Sequence, residues 1–244
     1  DLAMRAEIVR LNAMHRWAPG TVKMWRLLRA EGIHCGKHRV RRLRKLENIQ
    51  TSRTKRFRAM QAMERVQPPA PDLVKRGFKV NAPNTIWVGD MTALRTKEGW
   101  LHLAIVLDLY ARRVVGWSLD TTQATTLPIA AFNMALAQRK PHAGLIFHSD
   151  QGTVYASHDY RDLLQAHGVL PSMSRKGNCH DNAVAESFFS NLKNEVMHDR
   201  LFGSRDEAKA AVSNYIEVYY NRQRLHQTLG YQTPVAVEAA FRCA

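Results

Sequence analysis

Asp90, Asp150 and Glu186 are the three acidic residues whose setting suggests a shared chemistry. Asp90 falls inside a β-branched and aromatic run (TIWVGDMT), and Asp150 directly follows a short apolar run (LIFHSD). Glu186 lies in an amphipathic helical stretch that begins near Asp181. Carboxylates brought together repel and resist ionisation unless a cation joins them. Hard divalent cations supply it, and Mg²⁺ accepts a few carboxylates while keeping waters and phosphate oxygens in its shell. Two such ions ~4 Å apart can activate an attacking oxygen and stabilise the leaving one in an in-line phosphoryl displacement. That chemistry needs no protein nucleophile. Any trio drawn from 21 acids is unspecific, so the spacing has to narrow it: 59 residues separate Asp90 from Asp150, and 35 separate Asp150 from Glu186.

These residues need elements to position them. Thr85–Thr92, Trp100–Leu109 and Arg113–Leu119 read as three strands of an antiparallel meander, with turns at Gly99 and at Ala111-Arg112. A helix over Ala124–Arg139 follows, with Pro128 tolerated in its first turn. Then come a strand at Leu145–His148, a helix over Tyr155–Gly168 and a possible fifth strand at Val169–Met173. Two further helices cover Asp181–His198 and Ser204–Arg222. The order is that of a mixed α/β sheet, and a polar residue at a strand's carboxyl end faces the crevice, as Asp150 would. On the helix from Asp181, the residues Ala185, Phe188, Phe189, Leu192 and Val196 form the apolar stripe. Asn182, Glu186, Ser190 and Lys193 share the opposite face.

Upstream of the strands the chain is different. Residues 1–66 hold 17 Lys and Arg against 5 Asp and Glu, a net of +12 out of +15 for the 244 residues, whereas the rest is nearly neutral. A basic block beside a neutral body is the footprint of a polyanion binder. Residues 1–16, 20–31 and 36–47 read as short helices. In the third, Val40, Leu43 and Leu46 recur every three residues as a thin apolar seam, and Arg39 and Arg42 lie on basic faces suited to a DNA groove. Four of the nine prolines (Pro68, Pro69, Pro71, Pro83) mark a linker. The expected division is a basic helical domain over 1–50, a linker over 51–83, a core over 84–200 and a helical extension over 201–244. An apolar content of 45% excludes wholesale disorder, and no apolar run reaches the 18 residues a membrane span needs. Cys35, Cys179 and Cys243 are too scattered for a disulfide framework and suit a reducing cytoplasm. Because the sequence opens on Asp1, a fragment or the downstream part of a longer product is expected.

Five phrases carry a resemblance: NTIWVGDMT, GWLHLAIVLDLYARRVVGW, HSDQGTVYAS, SMSRKGNCHDNAVAESFFSNLKNE and YNRQRLHQTLGYQTP. In this order and with this spacing, the chain resembles the DD(35)E transposases of bacterial insertion sequences, and most closely the OrfB product of the IS-three family. The likeness runs from about Val22 to Phe241. The resemblance implies a ribonuclease H-like sheet flanked by helices, preceded by a small all-α helix-turn-helix-like domain. It implies catalytic and metal-binding roles for Asp90, Asp150 and Glu186, with two Mg²⁺ ions and Mn²⁺ as a substitute. The implied activity is strand cleavage at transposon ends followed by attack of the freed 3′-OH on another phosphodiester. The implied partners are double-stranded DNA, further copies of the chain, and an upstream-frame (OrfA-type) partner or fusion. Pro19-Gly20 stands where the family more often has Tyr-Gly, and Ala93 where it more often has tyrosine.

Several further residues have two readings each. Lys193 matches a basic position set against the transposon end near the scissile phosphate, and is otherwise a solvated helical lysine. His148 could orient water or DNA, or serve the strand end structurally. The stretch of Ser174 to Asn178, with Arg175 and Lys176, is a DNA-contacting gate or a plain connector. Asn221, Arg222, Arg224 and His226 could grip phosphates. Asp108 reads as a turn or core-edge residue, and Asp181 as a helix N-cap. His34, Cys35 and His38 lack a fourth ligand and are not read as a zinc site. No H-x-x-R set of tyrosine recombinases is present, so no covalent adduct through Tyr219 or Tyr220 is expected.

Overall fold

The computed structural model describes residues 1–16, 19–49, 69–75, 77, 80–174, 182–197 and 201–243. The expectations for most of the linker, for Arg175 and Lys176, and for Asp181 as a cap lie outside the described residues.

Three helices open the chain: α1 (Leu2–Met14), α2 (Thr21–Ala30) and α3 (Lys37–Leu46). Gly32, at φ +79°, adopts the left-handed turn just past α2 that glycine permits without strain. Ile8 and Leu11, Met24 and Leu28, and Val40 and Leu43 build their common core. The expected seam needs one correction. Leu46 is 58% exposed, and Arg44 is buried in its place. At 3.6 residues per turn, position 46 lies roughly 120° around from Val40, whereas position 44 lies about 40° away.

The sheet has the order β3-β2-β1-β4-β5, built from β1 (Ile86–Thr96), β2 (Gly99–Asp108), β3 (Arg113–Asp120), β4 (Ile146–Ser149) and β5 (Leu170–Met173). The first three strands are antiparallel neighbours, and β4 joins β1 and β5 in parallel. Strand β1 runs four residues past the expected end because β2 pairs with it up to Thr96↔Gly99. The Thr96 hydroxyl fastens that turn, donating to the Gly99 carbonyl at 2.8 Å.

Side chains alternate between two apolar layers, as the pleat requires. Trp87, Ala104, Val106 and Phe147 face α4 (Thr126–Arg139) and α5 (His158–Ala166). Val88, Leu103, Ile105 and Leu107 face α6 (Ala183–Val196) and α7 (Arg205–Asn214). Helix α4 lies so close to β3 that a Cβ at Gly116 would meet the Ala131 carbonyl at 2.1 Å. Helix α5 starts three residues later than expected, where the Ser157 hydroxyl accepts from the Tyr160 amide. Beyond α7 the expected single helix passes into a π-helical turn (Tyr215–Tyr220), which turns Tyr215, Ile216, Tyr219 and Tyr220 inward. A last helix, α8 (Pro234–Arg242), has a start signal in Thr233-Pro234 that the sequence reading passed over. Its Glu238 is 3% exposed and paired with Arg113 and Arg139.

Candidate active site

Parallel pairing of β1 with β4 sets the first two acidic residues together. Val88 is opposite His148, and His148 is opposite Ser172 of β5. Two residues further along each strand, Asp90 and Asp150 fall in one row on one face, the face that Val88 shares with α6. Backbone amides receive both carboxylates: Met91 N donates to Asp90 Oδ1 at 2.7 Å, and Gly152 N to Asp150 Oδ1 at 2.9 Å. A glycine beside each acid makes room. A Cβ at Gly152 would stand 2.9 Å from Asp150 Oδ1, and one at Gly89 would stand 2.3 Å from the Phe147 ring.

Helix α6 crosses this face, held by Val184, Ala185, Phe188, Phe189 and Leu192. Glu186, on its first turn, is half-buried. Burial and then the charge of Asp150 push the Asp90 carboxyl well above the usual carboxylate range. Glu186 adds to that effect, and the Met91 amide and Lys193 oppose it. Burial likewise raises Asp150, against the Gly152 hydrogen bond. The three acids therefore share one electrostatic neighbourhood, with Asp90 the most enclosed, and Lys193 reaches the same field from two turns along α6.

Other sequence candidates fall elsewhere. His148 is 1% exposed, one row beneath the acids, with Nδ1 2.9 Å from the Ser172 hydroxyl that also receives the Leu73 amide. It is closed to solvent and ties β4 to β5. Asn182, expected on the open face of α6, is instead buried. It is the N-cap, ahead of the helical geometry that a wheel projection assumes, and its Nδ2 donates to the Gly89 carbonyl at 3.5 Å. Arg39 and Arg42 are exposed on α3 and paired with Asp1. Arg222 is exposed, and its Nε donates to the Glu217 carbonyl at 3.1 Å. Arg224 does not match the expected surface grip. It is 7% exposed and bidentate to Glu195, because the turn after the π-helical segment folds it under α6. Asn221 and His226 are buried too, Asn221 exchanging two hydrogen bonds with the Val114 backbone. Asp108 is fully buried and caps the Asn84 and Tyr110 amides.

Sequence reasoning missed Tyr155. Its side chain packs against Phe147 and Tyr160, its hydroxyl has no hydrogen-bond partner among the described residues, and it lies within the field of Asp90 and Asp150. The phrase HSDQGTVYAS already contained it, with no spacing rule to single it out.

Among the described residues, no three His, Cys, Asp or Glu side chains are clustered so as to hold an ion as they stand. The donor set nonetheless fits a hard divalent cation. It offers carboxylate oxygens alone, two of them adjacent and resisting ionisation, which is the strain a bound cation relieves.

Comparison with known proteins agrees with this geometry. The description "Integrase core domain" matches residues 80–179 and again 167–234, and "HTH-like domain" matches residues 1–57. A 31 kDa protein of insertion element IS600 from Shigella sonnei is 40% identical over 242 residues, spanning 99% of this chain and 88% of its own. The transposase for insertion sequence element IS904 of Lactococcus lactis is 44% identical over 67% of this chain and 65% of its own. Transposase InsF for IS3A of Escherichia coli is 45% identical over 70% of this chain and 59% of its own. The chain belongs to the insertion-sequence transposase family. As a DNA transposase with an integrase core, it carries the ribonuclease H-like fold of retroviral integrases. The magnesium-bound catalytic core of HTLV-2 integrase superposes with a TM-score of 0.50 at 17% identity, covering 64% of the transposase and 97% of that core. The intasome of simian T-cell lymphotropic virus superposes with a TM-score of 0.55 at 16% identity, covering 87% and 73%. No helix among the described residues is long and apolar enough to cross a membrane.

Proposed function

We propose that this transposase cuts one strand at a transposon end by water attack and then joins the freed 3′-OH to a second phosphodiester, with Asp90, Asp150 and Glu186 as its catalytic carboxylates. One observation carries the reading: Asp90 and Asp150 share a row on adjacent parallel strands, under a helix that brings Glu186 into the same field. These three side chains would hold Mg²⁺, two ions in the working enzyme, with Mn²⁺ a competent substitute. Bound there, the metal lowers the pKa of water and draws charge from the phosphoryl oxygens. The chain supplies the rest. The Met91 and Gly152 amides fix the orientation of two carboxylates, and the apolar stripe of α6 fixes the third. Lys193 stands where it can meet a phosphate that approaches the acids.

The working division is a helical DNA-binding domain over 1–50, a linker over 51–83, a catalytic core over 84–200 and an extension over 201–244. Arg39, Arg42 and Arg222, exposed among the described residues, would contact backbone phosphates, joined by Arg175 and Lys176. The active form would be a homo-oligomer on double-stranded DNA in the bacterial cytoplasm, and an upstream-frame partner would supply end specificity. Incubating the chain with end-bearing oligonucleotides and Mg²⁺ or Mn²⁺, then sequencing joined products, tests the reading. Strand-transfer products are expected. Hydrolysis without joining reduces the enzyme to a nuclease, and equal activity of the Asp150→Asn variant would leave a DNA-binding regulator.

A further inference from the structure

A small pocket opens where the helical segment meets the C-terminal part of the chain. His15, Lys23 and Leu27 line one side of it, and Tyr219 and Arg224 the other. Its walls are joined directly. The Tyr219 hydroxyl donates to the His15 carbonyl at 3.0 Å, and the Arg16 guanidinium lies over the Tyr219 ring at 5.3 Å.

The charge around this pocket is one-sided. Glu195 is the acid that acts on Lys23, and it is already committed to Arg224 and to the Tyr215 hydroxyl. Lys23 has no ion pair or hydrogen bond among the described residues. Its ammonium is nonetheless enclosed enough that burial, and then the charge of Arg224, lower its pKa to about 8. Nearby His226, whose Nε2 is buried without a partner, is held neutral by burial and by the combined field of Arg224, Lys23 and Arg112. Three cations thus answer to one carboxylate. An enclosed ammonium without a counter-ion costs folding free energy, and a perturbed group of this kind at a pocket marks a binding site more often than a structural one.

We propose that this pocket receives one backbone phosphate of bound DNA, with Lys23 as its ligand and Arg224, braced by Glu195, as a fixed positive wall. The inference rests on the reading that the chain acts on DNA, and it adds a contact remote from the acidic row. Because the walls come from both ends of the chain, a phosphate seated there ties the helical segment to the core when DNA is bound.

The test is the salt dependence of binding of the full chain to duplex DNA, measured by fluorescence anisotropy in EDTA so that metal-dependent chemistry plays no part. Loss of one phosphate contact lowers the slope of log K against log[salt] by about 1. Lys23→Met is expected to show that loss, and Lys23→Arg to keep the parent slope. Thermal melting serves as the folding control: Lys23→Met should melt at or above the parent temperature, since it removes an enclosed, unpaired charge. A parent slope retained by Lys23→Met overturns the proposal, including the case where inorganic phosphate stabilises the parent and not the variant, since the pocket would then serve the free ion. A parent chain that binds no duplex at all overturns the DNA reading itself.

Discussion

Asp90 and Asp150 stand in one row with like charges side by side. Behind α6, Glu195 is gripped by Arg224 through contacts of 2.8, 3.0 and 3.1 Å and by the Tyr215 hydroxyl at 2.9 Å. Both regions enclose carboxyl groups, but burial has opposite consequences in them. In the second, the opposite charge and three donors satisfy the carboxylate, so the cluster pins the extension to the core. In the first, two acids resist ionisation and the fold gains nothing from bringing them together. Charge that the fold leaves uncompensated marks the site of chemistry, and charge that it pairs marks the scaffold.

The largest expected effect separates the two directly. Asp150→Asn removes a metal-holding carboxylate and should slow strand cleavage about a thousandfold, since several kcal/mol of transition-state stabilisation are at stake. Melting should stay level or rise, because a repulsive charge is gone. A variant that loses activity and melts well below the parent would place Asp150 in the scaffold instead. Arg224→Met should do the reverse. Leaving Glu195 enclosed and unpaired costs about 3–5 kcal/mol, or roughly 10 °C in Tm for a chain of this size. The double variant Arg224→Met with Glu195→Met should recover most of that loss, since an apolar pair of similar volume replaces the ion pair. Failure to recover would mean that the cluster does more than hold the fold.

Titration provides a finer comparison. A carboxyl raised in the folded state binds its proton more tightly there than in the unfolded chain, so it stabilises the fold as pH falls and destabilises it once ionised. In EDTA, the melting difference between the parent and Asp90→Asn should therefore shrink as pH falls through the raised Asp90 value towards the ordinary 3.8. At neutral pH, with Asp90 ionised, the variant should be the more stable. Added Mg²⁺ should reverse that order by stabilising the parent alone, and protons should weaken the effect by competing for the same oxygens. A difference constant across the pH range would show that Asp90 is not raised.

The acidic row was legible in sequence because two constraints act locally. A polar residue breaks an apolar strand run, and a fixed interval leads to an amphipathic helix. The paired cluster was not legible. Arg224 and Glu195 lie 29 residues apart, and a π-helical turn that no periodicity announces decides which way Arg224 points. The same limit explains α8, whose Glu238 meets Arg113 and Arg139 from about 100 residues away. Pattern reading recovers what a single element dictates to itself. Ion pairs between distant elements require the assembled fold.

Arg44 gives the smallest effect and the sharpest test of this division. It lies 5% exposed on α3 beside Val40 and Leu43, burial lowers its pKa, and its Nη1 has no partner among the described residues. It is thus enclosed charge without compensation, as at the acidic row, but within a small helical core rather than at a crevice. If it merely threads its stem through that core, Arg44→Met keeps the apolar stem and removes a poorly solvated charge. Stability should then change by no more than about 1 kcal/mol, in the favourable direction, a rise of up to roughly 4 °C in Tm. The salt slope of DNA binding should not move. A drop in that slope, with folding intact, would make Arg44 a second buried cation kept for a phosphate, and uncompensated charge in this chain would then follow the path of the nucleic acid from the helical domain to the acids.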